Sequence, residues 1–142
     1  MSDENKATAR RFYEAWTSGD LDVYDEIMAP NAQDHDTQNP NAGTPGPEGA
    51  KRTTEMYRTA FPDTRFEIDQ QFADGDYVIT RWTATGTHEG ELMGMPATHK
   101  SVKVTGITID RFEDGKVVEG WTNWDTLGMM QQLGVIPVAA HA

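Results

Sequence analysis

Three stretches carry most of the side chains able to move a proton. DHD, residues 34–36, sets His35 between two aspartates. An imidazole titrates near neutral pH, and an adjacent aspartate can orient and polarise it for proton transfer. The same triplet suits a polar loop, because aspartate favours turns, and both readings stand. EGWTNWDTLGMMQQLG, residues 119–134, brackets Thr122 and Asn123 between Trp121 and Trp124, with Asp125 next. Read as a strand, it sets Gly120, Thr122 and Trp124 on one face and Trp121, Asn123 and Asp125 on the other. Asp125 also stands where a terminal helix begins, and capping that helix accounts for it better than catalysis does. His88 is in phase with Trp82, Ala84 and Gly86. That spacing directs it either into a pocket or to one hydrogen bond at a sheet edge. His99 follows a loop and precedes Lys100, a surface setting, and His141 lies in the tail. His35 has no third ligand in view, so no metal site is expected.

The elements that must hold these groups follow from periodicity. Ala9, Phe12, Tyr13 and Trp16 recur at helical spacing over residues 3–18, with Asp3 and Glu4 at the start and Gly19 at the stop. LDVYDEIM reads as a second, short helix behind Asp20, closed by Pro30. Residues 31–49 read as one long turn-rich loop, with a third helix running from Pro47 to Phe61. Beyond Pro62 the period becomes two. Strands are expected around residues 66–72, 77–90, 101–112 and 117–124, with turns at ADGD and EDGK and a last short helix over TLGMMQQL. Helices followed by an antiparallel meander predict an α+β fold: N-terminal helices packed in a curved, mainly antiparallel sheet, with a small-molecule cavity between. Tyr13, Trp16, Tyr57, Trp82, Met93 and Met95 are its candidate walls, though each also suits an ordinary core. GELMGMP is expected to cover its mouth.

Composition narrows the partners. The 142 residues suit a single domain, residues 1–142. Twelve Lys and Arg against 23 Asp and Glu give a net charge of −11, which repels nucleic acid and anionic membranes. Cysteine is absent, which removes disulfide and thiolate chemistry. The N-terminus carries no apolar signal core and no run is long enough to span a membrane, so a cytoplasmic location is expected.

Several segments, in order over nearly the whole chain, resemble the SnoaL-like polyketide cyclases of the nuclear transport factor 2-like superfamily. They are RRFYEAWTSGDLD, GPEGAKRTTEMYRTAFPD, GTHEGELMGMPATHK, VTGITIDRFEDGKVVEGW and LGMMQQLG. The resemblance implies a cone-shaped α+β barrel with an apolar interior, assembled as a homodimer through the outer sheet face. It implies intramolecular aldol ring closure of a polyketide without metal or cofactor, the proton moved by an aspartate on the last strand. With DGK (114–116) and QQLG (131–134) as anchors, that aspartate falls on Thr122 and its partner histidine on Thr108. Asp34 falls where the cyclases place a pocket asparagine, and His88 matches a cyclase histidine. A threonine hydroxyl does not titrate near neutral pH. Proton handling is therefore expected of Asp34, His35 and His88, with Thr108, Thr122 and Trp124 joining the substrate-binding wall. The alternatives are a small-molecule-binding domain without catalysis and a structural dimer module.

Overall fold

A computed structural model describes residues 2–137. Helix α1 (Ser2–Ser18) has Asp3 and Glu4 in its first turn, where the helix dipole favours negative charge, and buries Ala9, Tyr13 and Ala15. Gly19, at φ +78, accepts the left-handed turn that ends it. Helix α2 is only Val23–Ile27.

The expected loop after α2 is partly a strand. Met28 is already extended (φ −116, ψ 143), and β1 (Met28–Asp34) runs from it. Pro30 breaks the helix but does not prevent the strand, because β1 lies at the sheet edge, where a missing N–H costs no ladder bond. Helix α3 (Gly46–Ala60) follows. Its first residue, Gly46, has φ +70, and a Cβ there would overlap the Pro30 carbonyl, so the sequence needs glycine.

Strands β2 (Arg65–Asp74), β3 (Tyr77–Thr87), β4 (Ser101–Glu113) and β5 (Lys116–Trp124) form an antiparallel meander. Burial alternates with period two most clearly in β3 and β4; β4 has every second residue from Val102 to Phe112 buried. β1 adds to β5 in parallel, giving the order β1-β5-β4-β3-β2. Helix α4 (Thr126–Gln132) closes the structure, and Asp125 caps it: its Oδ1 accepts from the Gly128 N–H at 2.8 Å.

The curved sheet is half-closed by helices. α1 packs mainly on β2, α3 on β1 and α4 on β4. Tyr13, Phe61, Trp82, Leu92, Val104 and Leu133 belong to the main core cluster. Burying a side chain such as Leu92 or Leu133 stabilises the fold by roughly 2 kcal/mol. Among the described residues no helix is long and apolar enough to cross a membrane.

Candidate functional site

The inner faces of β4 and β5 form the floor of a cavity of about 180 Å³. Alternation sends Val102, Val104, Thr108 and Asp110 inward from β4, and Gly120, Thr122 and Trp124 inward from β5. The register sets Thr108 opposite Thr122, and Asp110 opposite Gly120. On its other side Gly120 pairs with Asp34 of β1. The Thr108 and Thr122 hydroxyls are 3.0 Å apart, and Trp82 Nε1 donates to Thr108 Oγ1 at 3.0 Å. Trp82 lies flat across β4 because residue 106 is glycine; a Cβ there would fall inside its ring.

Aromatic side chains from the helices and sheet make the remaining wall. Trp16 meets Tyr57 and Phe66, and Tyr57 meets Trp124 edge-on at 6.1 Å. The polar groups collect at one end. Asp110 is 8% exposed. Burial, reinforced by the negative charge of Asp34, pushes its pKa up to about 7. Asp34 is fixed in orientation by two donors at 2.8 Å, the Asp36 N–H on Oδ1 and Asn39 Nδ2 on Oδ2. Burial raises the pKa of Asp36 as well, against the Gln38 N–H and with the charge of Asp34. Burial pushes Tyr57 up to about 12, helped by Asp36. Tyr13 is raised too, by burial first and then Asp110. Its buried hydroxyl has no hydrogen-bond partner; Thr80 and Thr108 stand close enough to soften the shift without completing a bond. Among the described residues no Lys, Arg or His lines the cavity. None are grouped as three His, Cys, Asp or Glu able to hold a metal ion.

The structure gathers Asp34, Tyr13, Trp16, Tyr57, Trp82, Thr108, Thr122 and Trp124 around this cavity. It does not gather the others there. His35 is the next residue of an extended chain after Asp34, so it turns to the opposite face. Its Nε2 lies 2.7 Å from Glu119 Oε2, and its ring stacks on Trp121 at 5.1 Å. His88 is fully buried, and its ring stacks at 5.2 Å on Phe61, which itself lines the cavity. His88 Nδ1 faces the Thr98 hydroxyl and N–H at 3.0 and 3.2 Å, while Nε2 has no partner.

Met93 and Met95 also stand outside the cavity. Their loop is folded back on the end of α3: Glu89 and Gly90 both donate to the Ala60 carbonyl, and Leu92 is buried. Met93 is 52% exposed, and Met95 packs partly against the core. His99 is a surface residue 3.3 Å from Glu89. His141 lies outside the described residues.

Asp110 and Asp36 carry no role in the sequence reading. Asp110 was legible in principle. It is in phase with Thr108 and with the apolar Val102 and Val104, so strand alternation puts its carboxylate on the same face as theirs.

The described architecture has relatives. Residues 6–133 match the model of the SnoaL-like polyketide cyclase family. The chain is 30% identical over 131 residues to the aklanonic acid methyl ester cyclase DnrD of Streptomyces peucetius, covering 88% of this chain and 87% of that one. TsrD from Streptomyces laurentii superposes with a TM-score of 0.85 at 25% identity, over 94% of this chain and 97% of its own. IdmH from Streptomyces antibioticus, described as a candidate polyketide cyclase, superposes at 0.79 with 35% identity, over 92% and 98%.

Proposed function

The chain belongs to the SnoaL-like polyketide cyclase family, and from that premise we propose that it closes a ring in a neutral, polyketide-like carbonyl compound by cofactor-free acid/base chemistry. The observation that carries the reading is the cavity itself: a mainly aromatic wall ending in a row of carboxyl and hydroxyl groups. An apolar wall holds a flat ligand, and the polar row meets its oxygens. With Asp34, Asp36 and Asp110 lining it and, among the described residues, no Lys, Arg or His doing so, the cavity favours an esterified ligand over a free acid. DnrD, whose name specifies a methyl ester, is consistent with that preference.

Thr122 and Thr108 hold each other's hydroxyls and bind rather than titrate. Asp34 is the proton acceptor in this reading, and His35 and His88, both turned from the cavity, take no part. A homodimer forms through the outer sheet face, where Ile107 and Ile109 stand exposed.

The test is turnover of a β-keto polyketide methyl ester beside its free acid. Wild type should cyclise the ester preferentially, and Asp34→Asn should lose about 10²–10³ in rate. The Thr108–Thr122 pair, self-satisfied and untitratable, favours a second reading, a binding domain without catalysis. Tight ester binding by native mass spectrometry with no turnover would select it.

A further inference from the structure

The side-chain slot at position 120 is empty, and the next strand fills it. Asp110 Oδ1 lies 3.1 Å from where a Cβ on Gly120 would stand. Asp34, Gly120 and Asp110 are lateral neighbours on three adjacent strands. Strands lie about 4.8 Å apart, so the two aspartate backbones are roughly 10 Å apart. No side chain at position 120 stands between the two carboxyls, and both aspartates line the cavity.

We propose that Asp110 is the catalytic acid of this site, acting across Gly120 on the same substrate from which Asp34 takes a proton. The proposal rests on the cyclase reading above. Asp34 removes a proton from the carbon between two carbonyls, and the C–H electron pair becomes an enolate. The enolate carbon attacks the acceptor carbonyl carbon. The acceptor π pair moves onto its oxygen, which takes the Asp110 proton. One C–H and one C=O thus become one C–C and one O–H, with no change of oxidation state overall. Asp34 ends protonated and Asp110 ionised, and solvent at the mouth returns the proton.

The division of labour follows from the surroundings. Asp34 is more exposed and accepts two hydrogen bonds. Asp110 is buried; Asp34 and Tyr13 are the titratable groups that interact with it, Asp36 lines the same cavity, and among the described residues no cation lines it. Burial favours the neutral, proton-donating form of Asp110. This arrangement places acid chemistry two strands from β1 while position 122 stays inert.

Two half-reactions separate the roles. Exchange of the substrate's α-hydrogen for deuterium in D₂O reports Asp34, and ring closure reports Asp110. Asp110→Asn should lower closure by about 100-fold or more while exchange stays within about threefold of wild type. Wild-type closure should fall as pH rises through about 7, as the acid form is lost. That limb should vanish in Asp110→Asn. Closure at the wild-type rate in Asp110→Asn overturns the proposal, and so does a wild-type rate that rises through pH 7. If the variant does not fold, the wild-type pH profile decides. Absence of both exchange and closure in wild type removes the cyclase reading itself, a result distinct from closure that ignores Asp110.

Discussion

The two faces of β1, β5 and β4 treat charge in opposite ways. On the outer face, Arg111 Nε donates to Glu119 Oε1 at 3.0 Å, Arg111 also reaches Glu113 at 2.8 Å, and His35 meets the other Glu119 oxygen at 2.7 Å. Arg111, Glu113, Glu119 and His35 are thus all paired there. On the inner face, Asp34 and Asp110 share one row with a glycine between them, and among the described residues no cation lines the cavity. The outer row contains the more reactive-looking residue, yet its imidazole is held by a carboxylate and a tryptophan ring. The inner row contains an ordinary aspartate, Asp110, made unusual by desolvation. Residue type is the weaker guide; what surrounds a group decides its chemistry.

The strongest way to break this contrast is Asp110→Asn in an unfolding experiment. The folded carboxyl has its pKa raised from 3.8 to about 7. A raised pKa contributes stability that is full below pH 4 and is lost as pH rises through 7. At about 1.4 kcal/mol per unit, the wild type should lose a few kcal/mol across that window. Asp110→Asn should keep most of it, leaving a shallower slope from Asp36, whose pKa is raised in the same direction. At pH 8 the variant should therefore unfold at higher urea than wild type while closing rings more slowly. Equal slopes for the two proteins would show that the inner carboxyl is not desolvated, and the contrast would fail.

A smaller effect belongs to the cavity floor. Gly106→Ala should displace the Trp82 ring and break its hydrogen bond to Thr108, for an overpacking cost of about 1–3 kcal/mol. Loss of Trp82 fluorescence anisotropy and a lower urea midpoint would register it. An unchanged midpoint would mean that the floor is looser than the close Trp82 contact implies.

Period and punctuation made the helices and the four meander strands legible. β1 was hidden because MAPNAQD has proline, asparagine and aspartate where a strand signal needs branched residues, and because its partner is β5, far away in sequence. The cavity wall was legible by two routes: alternation grouped Thr122 with Trp124, while the resemblance to the cyclases supplied Thr108 and the inward direction of Thr122. His35 and Met93 were not. The partner that neutralises His35 is 84 residues away, and no local pattern announces it. The loop bearing Met93 is placed by backbone bonds to Ala60, which side-chain hydrophobicity does not encode. Asp110 lay in the pattern all along, but its importance comes from an absent side chain at position 120, and absence reads poorly in one strand considered alone.

The smallest effect sharpens the contrast by its sign. Arg111, and then His35, hold the Glu119 carboxyl below its ordinary range. A lowered pKa contributes stability present above the unfolded value of 4.5 and lost as pH falls through the folded one, the reverse of Asp110. In the single chain this row is partly exposed, so water and salt screen it wherever a homodimer does not cover it. Glu119→Gln should shift Tm only slightly, and only at pH values where the carboxylate is ionised. Raising the salt should erase even that. Ring closure should be unaffected, as it should in His35→Ala, since neither side chain reaches the cavity. The measurement is Tm from pH 3 to 8 at low and high salt, beside the rate of closure. A Glu119→Gln loss as large as the gain in Asp110→Asn, and insensitive to salt, would put the outer row in a dry environment. The two faces would then differ in partners alone, with hydration no longer the cause.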